Sequence, residues 1–167
     1  MSEKNAWGLI DILDGREPDG LSAAEISRLR RRRNELVHVA KAEPGQAAPV
    51  LRSWLVRRAD RCLFRASPID LPDIRSDSEL AASGVSDPRS GISAAGVVEG
   101  YVFSALLEGF VRHHLLVVAD EASANVVLHV SNREVGEVPL LLLAADLAEY
   151  NSARENKRVD ELLQALA

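Results

Sequence analysis

Ser22-Ala-Ala-Glu25 and Pro44-Gly45 bracket the stretch that most restricts how this chain can fold. A Ser three residues ahead of a Glu forms a capping box, in which the hydroxyl accepts from the Glu amide and the carboxylate accepts from the Ser amide. Proline followed by glycine stops a helix. The interval 22–42 is therefore predicted to be one helix, about 30 Å long at ~1.5 Å per residue. At about 100° per residue, Ile26, Leu29, Leu36, Val37 and Ala40 fall within about 100° of one another and form a buried stripe. A long helix with one apolar stripe needs other helices against it. Two neighbours qualify: 6–13, with Trp7, Ile10 and Leu13 spaced by three, and 50–59, with Leu51, Trp54 and Leu55 on one side.

The same helix carries Arg28, Arg30, Arg31, Arg32 and Arg33. Arg28, Arg31 and Arg32 fall outside the stripe and Arg30 lies at its border, where arginine forks can pair with phosphate oxygens. Arg33 falls inside the stripe, which implies a carboxylate partner within the protein or a contact with another molecule. Charge is distributed unevenly. Residues 1–66 hold 13 Lys and Arg against 9 Asp and Glu, whereas 67–167 hold 7 against 16. Within 28–65 the excess is 11 basic over 3 acidic, and Arg57 and Arg58 add to the basic set. Such asymmetry suits a nucleic acid or an acidic partner on one face, while a solvated helix face is the plainer reading.

The rest of the chain divides by pattern. Arg61 to Ala66 alternates polar and apolar, as a strand does. Residues 67–96 contain three Pro and three Gly and read as a loop-rich linker. Beyond it, a helix is expected from about Val102 to His114. Two β-branched runs follow, Leu115 to Ala119 and Asn125 to Ser131, separated by a short polar segment as in a hairpin. Pro139 suits the start of a helix through Tyr150, and Ala153 to Leu166 carries the apolar stripe of a last one. The expectation is an α+β protein. It has a basic helical lobe over 1–66, with a winged helix among the forms open to it, a linker over 67–96, and an α+β lobe over 97–167 with a helix–hairpin–helix–helix order.

Conventional catalytic and cofactor motifs are missing from the sequence: no Gly-rich phosphate loop, no His-Glu-x-x-His, no Gly-x-Ser-x-Gly. Cys62 is the only cysteine, so neither an intrachain disulfide nor a cysteine-based zinc site can form. His113 and His114 are adjacent and face different ways on a helix, and two histidines without a third ligand make a poor zinc site. His129 alternates with apolar residues in its strand and reads as a satisfied core side chain. Asp70, Asp73, Asp77 and Glu79 read as solvated loop acids. No metal and no cofactor is therefore expected. The longest apolar run is far below a membrane span, and no secretory signal is visible, so a cytoplasmic location without membrane contact is expected.

Two resemblances suggest functions. Arg33-Asn34-Glu-Leu-Val-His38 resembles the Arg-Asn-x-x-x-His pattern of HEPN ribonucleases, which implies metal-independent RNA cleavage using Arg33 and His38. On a continuous helix these two diverge by about 140°, one toward the core and one toward solvent. HEPN domains are also all-helical, unlike this chain. Elsewhere, Val98-Glu-Gly-Tyr-Val102, Asn125-Val-Val-Leu-His-Val130, Val138-Pro-Leu, Ala144-Ala-Asp-Leu-Ala148, Arg154 and Glu161-Leu-Leu163 recur in an order that resembles the C-terminal part of AbiEi-type antitoxins, over roughly residues 84–166. These are DNA-binding partners of nucleotidyltransferase toxins in type IV toxin–antitoxin pairs. The resemblance implies a non-enzymatic regulator that binds operator DNA and occludes a toxin, with a homodimer among the assemblies open to it. DNA contacts are then expected from Arg28, Arg30, Arg31, Arg32, Arg57 and Arg58. Toxin contacts are expected from Arg33, Asp146, Glu149, Glu155 and Asp160. A protein-binding adaptor without nucleic-acid contact is a further alternative.

Overall fold

A computed structural model describes residues 1–166 and divides them into two compact units. Unit 1 joins residues 1–58 to 139–166, and unit 2 is 59–138. The division departs from the lobes expected at 66 and 96, because the last two helices pack with the first three. Sequence distance hides that arrangement.

Unit 1 is all helical: α1 (Glu3–Leu13), α2 (Ala23–Ala42), α3 (Ala47–Leu55), α6 (Leu140–Glu149) and α7 (Ala153–Ala165). The capping box forms as the sequence indicates, with the Glu25 amide bonded to the Ser22 hydroxyl and the Ser22 amide to the Glu25 carboxylate at 2.8 Å. Leu141 to Ala148 are all buried and, Asp146 apart, apolar, so α6 is enclosed on every side and forms the centre of the bundle. Leu9 and Ile10 of α1, Leu36 of α2, Leu51 and Leu55 of α3, and Val159 and Leu163 of α7 are likewise fully buried. Each such aliphatic side chain contributes about 1.5–3 kcal/mol on leaving water.

Unit 2 is built on a five-stranded sheet. Its strands are β1 (Asp60–Arg65), β2 (Ala81–Ala82), β3 (Val98–Phe103), β4 (Val117–Val118) and β5 (Val126–Ser131), in the order β2-β3-β5-β1-β4. Only β3 and β5 run parallel. The overall class is α+β, but its details correct several expectations. The runs around β4 and β5 do not form a hairpin with each other, since β1 lies between them and pairs antiparallel with both. The expected helix from Val102 is strand β3 through Phe103, a 3-10 turn, and then the short α5 (Leu107–His113). A winged helix would need β1 as a wing on the helical unit, and β1 instead belongs to this sheet.

One face of the sheet carries Phe64, Val98, Val102, Val126 and Leu128, packed with Leu71 and Ile74 of α4 (Leu71–Ser76) and Phe110 of α5. Alternation places Glu99, Tyr101, Val127 and His129 on the other face. There His129 Nε2 lies 2.9 Å from Glu99 Oε1, both residues are 1% exposed, and the Tyr101 ring stacks on the imidazole. The Val85 amide donates to the other Glu99 oxygen at 3.0 Å. His129 is the satisfied core histidine that its strand position suggests.

Candidate nucleic-acid interface

The arginine helix α2 turns two distinct sides to its surroundings. Arg28, Arg30 and Arg31 are exposed, and so are Asn34, His38 and Lys41 further along. All six offer hydrogen-bond donors, and Glu35 is the one acid among the exposed residues of 26–41. Arg32 is half-buried, its guanidinium carbon 5.2 Å from the centre of the Trp54 ring, so part of its role is to pack α2 on α3. A groove of about 390 Å³ runs beside these residues, lined by Asn5, Glu25, Arg28, Leu29, Arg31, Arg32 and Glu35. The carboxyl of Glu25 is held below its ordinary value by the Ser22 hydroxyl and amide, with Lys4 and Arg28 adding to the effect.

A second cavity of about 350 Å³ lies along the other side of α2, lined by Arg33, Asn34, Val37, His38 and Lys41. Arg33 is half-buried, and its Nε is buried with no hydrogen-bond partner. Among the described residues no carboxylate pairs with it, contrary to one of the two options its position in the stripe suggests. The side-chain directions of Arg33 and His38 differ as helical geometry requires, yet both border the same cavity because Val37 and Lys41 lie between them on the cylinder. Arg33 is thus the more buried of the two and His38 the exposed one, as their angular separation implies.

Other candidate residues have structural duties. Arg58 is 2% exposed; its Nε and Nη2 both donate to Asp146 Oδ1, Nη2 to Glu149 Oε1 at 2.6 Å, and Nη1 to the Leu55 carbonyl. A guanidinium so enclosed cannot touch DNA, whereas Arg57 beside it is exposed. Asp146 is fully buried, so it is not a surface contact for a toxin either. Asp160 is also buried and accepts from the Gly45 amide at 2.6 Å; burial pushes its carboxyl up and that amide pulls it back. Glu155 accepts from the Ser152 hydroxyl ahead of α7. Of the four acids expected on a partner surface, Asp146 and Asp160 hold unit 1 together and Glu149 is largely engaged with Arg58. The acidity of the C-terminal sequence is thus partly internal wiring, which composition cannot distinguish from surface charge.

Unit 2 holds a constellation that sequence spacing did not reveal. Donor atoms of Asp77, His113 and His114 lie within 4.8 Å of one another. His114 Nε2 is 2.7 Å from Asp77 Oδ2, and the other Asp77 oxygen accepts from the Glu79 amide at 2.8 Å. Burial opposes charge on Asp77, but the Glu79 amide and His114 outweigh it and hold the carboxyl below its ordinary value. The two histidines converge because α5 ends at His113: His114 is the cap, and Leu115 turns into the left-handed region at φ 51°. No family of known proteins, no curated protein and no solved structure matches the chain.

Proposed function

We propose that this protein is a nucleic-acid-binding regulator of the antitoxin type, which lays α2 against a phosphate backbone. The carrying observation is the exposed donor face of α2: Arg28, Arg30, Arg31, Asn34, His38 and Lys41, with Glu35 alone opposing. Twenty helical residues span about 30 Å, and the major groove of B-DNA, about 12 Å wide, admits a helix. Arginine and lysine supply the salt-sensitive attraction, and Asn34 can pair with a base edge. A toxin contact, if the protein makes one, uses surface other than Asp146 and Asp160. The test is fluorescence anisotropy with a duplex from upstream of the protein's own reading frame at two salt concentrations. Affinity should fall with a slope of about −0.9 for each phosphate neutralised. Absence of binding at ~50 mM salt, where the electrostatic contribution is strong, rejects the reading.

A ribonuclease is the second reading, favoured by the cavity that Arg33, Asn34, His38 and Lys41 share and by the all-helical character of unit 1. His38 would take the ribose 2′-OH proton while that oxygen attacks phosphorus and the bond to the 5′ oxygen breaks; Arg33 would hold the phosphate charge. The leaving oxygen would take a proton from water or from the imidazolium. Metal-independent RNA cleavage that disappears in both Arg33→Ala and His38→Ala would replace the regulator with this enzyme.

A further inference from the structure

We infer that Asp77, His113 and His114 form a binding site for one divalent transition-metal ion of the zinc class. Their three donor atoms lie within 4.8 Å of one another, and they come from two separate segments, the end of α4 and the end of α5. Two imidazoles and one carboxylate are the donor set of open zinc and related sites, whereas Mg²⁺ and Ca²⁺ prefer oxygen throughout. Ligands at about 2.1 Å in a tetrahedral arrangement stand about 3.4 Å apart. The 2.7 Å contact between Asp77 and His114 therefore opens slightly as an ion enters between them.

The surroundings orient the ligands before any ion arrives. The Glu79 amide engages one Asp77 oxygen and leaves the other toward His114. The Phe110 ring packs against His114 at 4.6 Å, and the His113 and His114 rings meet edge to face at 4.7 Å. The Leu116 amide bonds to the Val111 carbonyl and the Leu115 amide to that of Arg112, a Schellman closure that fixes the chain just after the histidines. The Asp77 side chain is 18% exposed and that of His114 9%, while His113 is exposed, so the fourth position faces solvent. Water or a ligand from a partner would complete the coordination. An ion here ties α4 to α5 across the sheet's packed face and so stabilises unit 2.

The test is calorimetric titration of Zn²⁺ into the full-length chain after chelator treatment, with the Co²⁺ spectrum as a readout of donor set and geometry. One ion per chain is expected, and the unfolding temperature should rise with Zn²⁺. His113→Ala and Asp77→Asn should each weaken binding roughly tenfold or more. Because His113 is exposed, His113→Ala leaves the fold intact and decides the matter even if Asp77→Asn does not fold. No saturable Zn²⁺ binding by the wild type, or equal binding by His113→Ala, overturns the site.

Discussion

Arg58 and Asp146, 88 residues apart in sequence, meet at 2.5 Å with the guanidinium 2% exposed and the carboxylate fully buried. Together they link the turn after α3 to α6, whose other buried residues are apolar. A buried pair of this kind contributes little net stability over an apolar replacement, but losing one member strands the other. Arg58→Ala and Asp146→Ala should each cost about 3–5 kcal/mol in chemical denaturation. Arg58→Met combined with Asp146→Leu should recover much of that loss. If the single variants unfold like the wild type, the pair is not what holds α6 in register.

Charge removal on the open face of α2 should behave in the opposite way. Arg28→Gln, Arg30→Gln and Arg31→Gln together leave the apolar stripe untouched, so the unfolding midpoint should move by no more than about 0.5 kcal/mol per site. The salt slope of DNA binding should flatten by about 0.9 for each phosphate that the variant no longer neutralises. An unchanged slope would place the DNA elsewhere.

The cap of α2 responds to acid. Glu25 titrates below its ordinary 4.5 in the folded protein because the Ser22 hydroxyl and amide favour its charged form. A carboxyl depressed by folding supports the fold at pH above its unfolded value, and that support is lost as pH falls through the folded value. Amide exchange in the first turn of α2 should therefore accelerate as pH drops below about 4.5, relative to the intrinsic rate. In Glu25→Gln that acid-dependent increment should vanish.

Gly84 has φ +52°, and a Cβ there would overlap the carboxylate of Glu99, which His129 and the Val85 amide hold in place. Gly84→Ala combines left-handed strain of about 1–3 kcal/mol with displacement of a buried carboxylate. Unit 2 should lose at least about 2 kcal/mol in thermal unfolding. Gly136, at which an added Cβ meets nothing within 4 Å, should accept alanine with an unchanged midpoint and serves as the control.

Leu115 is a left-handed residue that is not glycine, and its side chain is 81% exposed. With no packing to compensate, Leu115→Gly should raise stability by about 1 kcal/mol, read as a higher unfolding temperature. A fall would show that the Leu115 side chain is itself needed.

The sequence by itself determined the local features. Ser22, Glu25, Pro44 and Gly45 set the bounds of α2, because capping and helix termination depend on neighbours within four residues. Alternation identified β1 and a β-branched run identified β5, and the apolar stripes of α1, α3 and α7 were legible for the same short-range reason. Helical spacing also placed Arg28, Arg30 and Arg31 outward, whereas Arg32, expected outside the stripe as well, is half-buried against Trp54. Tertiary structure alone decided what those elements meet. Whether α6 packs with α3 or with the sheet, and which strand separates β4 from β5, depends on contacts among residues distant in sequence. The same applies to charge. Nothing within a few residues of Arg58 marks it as buried, and the apolar run around Asp146 does not name the partner that makes its burial tolerable, which lies 88 residues away. Nor does anything near His113 and His114 announce Asp77, which the packing of α4 and α5 brings to them.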